Sequence, residues 1–368
     1  MNIVLFLGAG ASVQFGNPST EKAKEKLVDS GIIDEKIVPL LKLKIFPDIE
    51  YILEFLKEIQ KLENDKQLTK FLKNDQFPFV IQNKSVSMLK DFLNANLYYD
   101  IRNFLLKSYK IKEEAKEHVT DFFRPLFELV NEYGKDGEYR NQINVGTTNY
   151  DIAVEKFQEF TSVFERFVDG FEFERDVHYW KDSVFDNVDR SIRTIVLYKI
   201  HGSINWRRTD LPTMDPEKPN VVKFTREGIL EPDEMAVIAP TLSPKDALEI
   251  QPFSTILKRF KEKLLNSDVC IVIGFSFRDG DVSEHFKQFI NKGKRLIVIS
   301  PTCYKDYAKN LFKTTESEND VEIKSAANAH ASSNGRHINF IAKECNRTNN
   351  SGIFIDIRSI LSSMSKSS

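Results

Sequence analysis

Three short stretches, far apart in the chain, place chemically capable residues where strands should end: GAGAS at 8 to 12, TTNYD at 147 to 151 and HGS at 201 to 203. Gly8 and Gly10 permit a tight turn and let the backbone approach a diphosphate, while the helix expected after them offers unpaired N–H groups and a positive dipole end. The same glycine pair equally serves an α/β turn that needs only positive φ. In TTNYD, Thr147, Thr148, Asn149 and Asp151 crowd one strand end, and Asn149 and Asp151 are either ligand groups or turn and cap residues. His201 leaves a strand beside Gly202 and Ser203, a setting in which an imidazole serves as general acid or base. Together the three stretches read as one nucleotide site.

The elements that must position these residues are legible around them. Met1 to Leu7 is an apolar run of buried-strand character, too short to span a membrane. Ile143 to Val145 gives a short strand before TTNYD, and Asp151 can cap a helix marked by Ile152, Ala153, Val154 and Phe157. Thr194 to Ile200 is β-branched and aromatic, so His201 emerges where an open α/β sheet binds ligands. A fourth strand, Asp268 to Ile273, runs into Gly274, Phe275, Ser276 and Phe277, with Arg278 and Asp279 beyond. Arg295 to Ser300 closes at Pro301. At least five strand-to-loop transitions thus alternate with helical segments, which predicts an α/β fold with a Rossmann-like, doubly wound parallel sheet.

GAGAS, TTNYD, HGS and IGFSF, in that order, resemble the sirtuin core, whose corresponding blocks run Gly-Ala-Gly, Asn-x-Asp and His-Gly. The sequence is most similar to the bacterial sirtuin-like proteins of antiphage defence, which destroy NAD and in doing so abort infection. The likeness covers roughly residues 1 to 30 and 141 to 305. It implies that NAD is the substrate and that Gly8, Ala9, Gly10 and Ser12 line its diphosphate. It implies further that Asn149 and Asp151 hold the nicotinamide-side ribose and position a water, with Thr148, Gly202 and Ser203 nearby. His201 would act on a ribose hydroxyl or on that water, and Gly274 and Ser276 would contact the adenosine half. Cleavage between ribose and nicotinamide passes through an oxocarbenium-like state, which oriented amide, carboxylate and imidazole groups can stabilise and trap.

Two departures separate this chain from the deacylating sirtuins. Their zinc ribbon needs two cysteine pairs, whereas this sequence holds only Cys270, Cys303 and Cys345, without paired spacing. No metal is expected, and His118, His178, His285, His330 and His337 show no ligand spacing with one another. Where those enzymes continue with Pro-Asp-Phe-Arg, this chain reads Gly16, Asn17, Pro18 and Ser19. The readings left open are an NAD glycohydrolase, an NAD-dependent protein deacylase or ADP-ribosyltransferase, and a noncatalytic module that senses NAD or ADP-ribose.

Composition fits a cytoplasmic enzyme. With 368 residues, 41% hydrophobic and 29% charged, the chain can bury a full core, and a net charge of −2 leaves no electrostatic footprint for nucleic acid. No signal peptide or membrane span is expected. The expected partition is a sirtuin-like core at 1–33 and 136–310, a helical insertion at 34–135 and a C-terminal extension at 311–368. Within the insertion Ile49, Ile52, Leu53, Leu56 and Ile59 share one helix face, as do Leu89, Phe92, Leu93, Leu97, Ile101, Phe104 and Leu105. These stripes are either a lid or oligomer surface, or simply the insertion's own core, and Lys57 to Lys73 reads as a solvated face.

After HGS, seven prolines between Pro212 and Pro252 indicate loops, with Val221 to Thr225 and Met235 to Ala239 as short strands. Trp206 either stacks on a ligand or walls the interior. Ser325 to Gly335 reads as a flexible loop, Ile338 to Ala342 and Ile353 to Ile357 either as edge strands or as segments that bind another subunit, and Ser362 to Ser368 as disordered. Without a sensor of its own, such a chain is expected to be restrained by assembly. A homo-oligomer is expected, working with a HerA-type ATPase or an Argonaute-like protein.

Overall fold

The computed structural model describes residues 1–33, 35, 38–42, 48–63, 97–174, 177–208, 221–224, 235–238, 248, 251–300, 330–333, 336–341 and 350–365. In chain order its elements are β1 (Ile3–Leu7), α1 (Ala9–Ser12), α2 (Thr20–Asp29), α3 (Val38–Leu41), α4 (Ile49–Glu63), α5 (Leu97–Ser108), α6 (Lys116–Gly134), β2 (Gln142–Thr147) and α7 (Ala153–Thr161). There follow β3 (Arg166–Val168), β4 (Phe171–Glu174), β5 (Val177–Trp180), β6 (Thr194–Lys199), β7 (Gly202–Arg208), β8 (Val221–Lys223), β9 (Met235–Val237), α8 (Phe253–Asn266) and β10 (Val269–Ile273). The chain closes with α9 (Gly280–Asn291), β11 (Arg295–Ile299), β12 (His330–Ser333), β13 (Arg336–Ile341) and α10 (Asn350–Ser365).

An eight-stranded sheet in the order β12-β13-β11-β10-β1-β2-β6-β3 forms the scaffold. All its pairings are parallel except that of β12 with β13 at one edge. β1 sits inside, flanked by β2 on one side and β10 on the other, so the strand order reverses beside it. Successive residues of β1 show why it is central. Ile3, Leu5 and Leu7 point into one apolar cluster with α6, α7 and α10, and Val4 and Phe6 into a second cluster with α8 and α9. A strand buried on both faces needs a continuous apolar run, which IVLFL supplies. This is the doubly wound α/β architecture that the sequence predicts.

By contacts the chain forms two compact units, Met1–Asn17 with Tyr109–Ile238 and Pro244–Ser368, and Pro18–Ser108 with Ala239–Ser243. The helical unit thus spans a different range from the 34–135 read from the sequence. The difference lies in α6, whose Val119, Phe122, Phe123, Leu126 and Phe127 are core residues of the sheet's first cluster. Within the helical unit, α2, α4 and α5 pack on one another, burying Ile49, Ile52, Leu53, Leu56, Leu97, Ile101 and Leu105. Leu89, Phe92 and Leu93, and most of the 57–73 charge run, lie outside the described residues.

Four expectations for the tail are corrected. Ile353 to Ile357 is not a strand but part of α10, because Ile353, Ile357 and Leu361 recur at helical spacing and bury one face against α6. Ser362–Ser365 continues that helix instead of being disordered. Within the expected 325–335 loop, His330–Ser333 forms β12, which makes β12 the edge and β13 an inner strand. A further five-stranded antiparallel sheet, β4-β5-β8-β7-β9, occupies the region after HGS together with residues before β6. Trp206 is wholly buried there against Phe171, so it is a wall residue.

Candidate functional site

Strand register brings the three stretches to one edge of the sheet. Leu7 pairs with Thr147 and with Ile273, and Thr147 pairs with Lys199. Asn149 and His201 therefore lie two residues past the same paired position of neighbouring strands, and they leave the sheet side by side. Gly8 and Gly274 leave at the same level on the other side of β1. This is the carboxyl edge of the sheet at its reversal of strand order, where open α/β sheets place their ligands.

On the glycine side the backbone is largely committed to itself. Gly8 N–H donates to Ile273 O at 2.9 Å, Gly10 N–H to Gly274 O at 3.0 Å and Ala11 N–H to Gly8 O at 2.9 Å. A Cβ on Gly8 would meet Gly274 O at 2.5 Å, and one on Gly274, where φ is +67°, would meet Ala11 N at 2.3 Å. These glycines are required by the close approach of two loops. The unpaired N–H groups expected for a diphosphate are not found at Gly8, Gly10 or Ala11. The helix after them, α1, is also a single turn continued by a 3-10 turn, Val13–Phe15. Ser276 Oγ accepts from Arg278 Nε at 3.2 Å.

The β2 and β6 ends carry side-chain chemistry. Asn149 spends both amide hydrogens on the glycine loop, donating to Gly8 O and to Ser12 Oγ at 2.9 Å each, while its own N–H donates to Thr147 Oγ1 at 3.0 Å. Its side-chain carbonyl oxygen takes no part in these bonds. Asp151 is 5% exposed, and its Oδ1 accepts the Ala153 N–H at 3.0 Å, the capping role its position predicts. Its Oδ2 is buried without a hydrogen bond. Beneath it a small cavity, with room for about one water, is lined by Ser12, Thr147, Asn149, Asp151, Glu155 and Lys199 among others. Lys199, 1% exposed, donates from Nζ to the Asp151 carbonyl and to Glu155 Oε1, the latter at 3.2 Å. Burial raises the Glu155 carboxyl above its ordinary value, and Lys199 opposes that shift.

His201 is 7% exposed and held from several directions. Its carbonyl accepts the Ile238 N–H at 2.9 Å, and its ring lies 6.4 Å from that of Tyr150, whose hydroxyl donates to Ile238 O at 2.7 Å. His201 Nε2 comes within 3.0 Å of Asp279 Oδ2, out of line with the N–H, so that neither atom has a hydrogen bond. Gly202, at φ +82°, abuts Ala236 O, and fully buried Ser203 donates from Oγ to Tyr150 O at 3.2 Å. Both brace the turn from inside. Thr148 donates its N–H to Leu7 O at 3.4 Å and is half-buried.

Lys199, Glu155 and Asp279 join this assembly without having been singled out from the sequence. Lys199 is the last residue of β6, within a stretch read as β-branched and aromatic, and a lysine inside such a run was the signal to follow. Asp279 is delivered by a sharp bend, since Phe277 is buried at φ +56°. Among the described residues no group of three or more His, Cys, Asp or Glu side chains could hold a metal ion. No described helix is long and apolar enough to cross a membrane.

No curated protein matches the sequence. Among solved structures, a mutant Sir2 homologue in complex with ADP ribose is 12% identical at a TM-score of 0.39, covering 98% of this chain and 93% of that one. A Sir2 homologue in complex with NAD is also 12% identical, at a TM-score of 0.38, with 98% and 90% covered. The stretch that holds TTNYD, HGS and IGFSF, residues 144–319, matches the family model of the SIR2-like domain.

Proposed function

We propose that this chain is an NAD glycohydrolase, cleaving NAD with water to nicotinamide and ADP-ribose, and that it depletes NAD as an effector of antiphage defence. The observation that carries the reading is the side-by-side emergence of Asn149 and His201 at the carboxyl edge of β2 and β6, inside the stretch that matches the SIR2-like domain. The order of the four motifs along the chain supports NAD as the substrate.

The chemistry asks little of an acid, because the leaving nicotinamide departs neutral from a cationic ring. The bond from ribose C1′ to the ring nitrogen breaks with its electron pair going to nitrogen, and water adds to C1′. The water's proton passes to His201 and then to solvent. Asn149, its amide hydrogens already anchored, presents its carbonyl oxygen in a fixed position to orient the ribose. Asp151 supports both from below through its cap on α7 and its carbonyl bond to Lys199. The glycine loop shapes the edge, with Ser12 fixing Asn149. Three cysteines in the whole sequence cannot supply the two pairs of a zinc ribbon, which disfavours the deacylase alternative. A homo-oligomer and a restraining ATPase or Argonaute-like partner belong to the same proposal.

Incubation of the purified protein with NAD alone, with and without a neighbouring gene product, tests this by chromatography of nicotinamide and ADP-ribose. The expected result is release that His201→Ala removes. Products that form only with an acylated peptide or another acceptor would overturn it.

A further inference from the structure

We propose that Asp279 is the positioning residue for His201, fixing its ring and its tautomer so that Nδ1 is the nitrogen that accepts a proton. Resting on the hydrolase reading above, this assigns a part to a residue at the end of a different strand. Both side chains are about nine-tenths buried, at 8% and 10% exposure, and their facing atoms are 3.0 Å apart. Neither atom makes a hydrogen bond. Two buried polar atoms at hydrogen-bond distance, each otherwise unsatisfied, carry a cost that a small ring rotation removes. A carboxylate accepts and cannot donate, so the pairing places the imidazole proton on Nε2 and leaves Nδ1 as the acceptor. Among the described residues Nδ1 has no hydrogen-bond partner.

Asp279 is held in place independently of His201. Its other oxygen, Oδ1, accepts the N–H groups of Asp281 and Val282 at 3.1 Å each, capping α9. One carboxyl group thus spans a helix N-terminus and the imidazole, and the cap fixes its rotamer. Among the described residues, the groups that face the His201 ring are Asp279 from the β10–α9 loop and the Tyr150 ring from the β2–α7 loop, whose hydroxyl is already donated to Ile238 O. Arg278, next to Asp279, directs its Nε to Ser276 Oγ.

Asp279→Asn is the decisive variant, because asparagine keeps the cap while its amide no longer offers a second carboxylate oxygen to Nε2–H. The measurements are kcat and KM for NAD hydrolysis, Tm, and the ¹⁵N spectrum of the His201 ring. Expected are a fall in kcat of about 100-fold with KM within about threefold, an unchanged Tm, and loss of the Nε2–H tautomer that the wild type shows. Asp279→Ser, which also caps but lacks the carboxylate, should behave like Asp279→Asn. An unchanged tautomer and unchanged kcat in Asp279→Asn would overturn the proposal, as would a loss of kcat matched by a fall in Tm with the tautomer intact. If the wild type cleaves no NAD but the tautomer shifts in Asp279→Asn, the pairing stands and the hydrolase reading fails.

Discussion

The loops after β1 and β10 and the loops after β2 and β6 meet at one sheet edge but are built on opposite principles. The first pair meets through backbone, with Asp279 beyond it as the side chain that reaches His201. Gly8, Gly10 and Gly274 interlock so closely that no Cβ fits, and each N–H is spent on a backbone carbonyl, that of Gly8 on Ile273, that of Gly10 on Gly274 and that of Gly274 on Ile299. The second pair is nearly all side chain, and it leaves polar atoms over, among them Asp151 Oδ2 and His201 Nε2. Atoms that folding leaves unsatisfied in a buried place indicate work beyond folding. On the function proposed above, the glycine loops form a platform, and the chemistry belongs to the β2 and β6 side with Asp279 reaching across to it. If that division is right, substitutions on the two sides should fail in different ways.

The largest effect is expected on the polar side. His201→Ala should lower kcat by roughly 10²–10⁴-fold while leaving the denaturation midpoint close to wild type. Asn149→Ala should abolish turnover with the fold intact, yet cost about 1–3 kcal/mol of stability through its two lost bonds to Gly8 and Ser12. Asn149 ties the two sides together through its bonds to Gly8 and Ser12, so a loss in both readouts fits it. Normal NAD cleavage by both variants, in a preparation free of other hydrolases, would remove the site assignment.

Lys199→Met should follow. It leaves Glu155 and the Asp151 carbonyl without their buried partner, and breaking such a pair from one side costs about 3–5 kcal/mol. Lys199→Met combined with Glu155→Gln should recover much of that loss in urea denaturation. Failure of the double variant to recover would mean that Lys199 acts through packing and not through charge.

A smaller effect, and one of the other kind, is expected for Gly274→Ala. Positive φ and a 2.3 Å approach to Ala11 N together predict a stability loss of about 1–3 kcal/mol, without a change in the pH dependence of turnover. A variant that kept its stability but raised KM for NAD would contradict the platform reading and return the glycines to the role of diphosphate ligands.

The sequence carried the sheet well because β1 and β10 are uninterrupted apolar runs, and β6 and β11 are apolar but for their end residues Thr194, Lys199 and Arg295, and burial on both faces leaves such strands little choice. It carried Asn149, Asp151 and His201 to one edge because they follow strands that parallel pairing aligns. It did not show that Gly8 and Gly274 face each other, since that contact joins loops more than 260 residues apart. Nor did it show α10, where Ile-Phe-Ile-Asp-Ile alternates like a strand over five residues while the longer Ile353, Ile357, Leu361 spacing decides for a helix. Asp279 stood in the sequence only as a residue beyond the fourth strand, and its nearness to His201 was not legible there because its reach depends on the bend at Phe277.

The smallest expected effect tests whether the polar side holds charge at a cost. Burial raises the Glu155 carboxyl above its ordinary value of 4.5, and Lys199, which would lower it, does not cancel the shift. A carboxyl that binds its proton more tightly when folded contributes stability that is complete below its unfolded value. That contribution is lost as pH rises through the raised one. Glutamine at this position still accepts from Lys199 but carries no charge to desolvate. The stability difference between Glu155→Gln and wild type should therefore shift in favour of the variant between about pH 4.5 and neutrality, measured by urea denaturation at several pH values. Subtracting the two curves cancels the other carboxylates. A difference that moved toward the wild type as pH rose would mean that the lysine outweighs burial. The cluster under Asn149 would then be an ordinary stabilising ion pair, as self-satisfied as the glycine loops opposite.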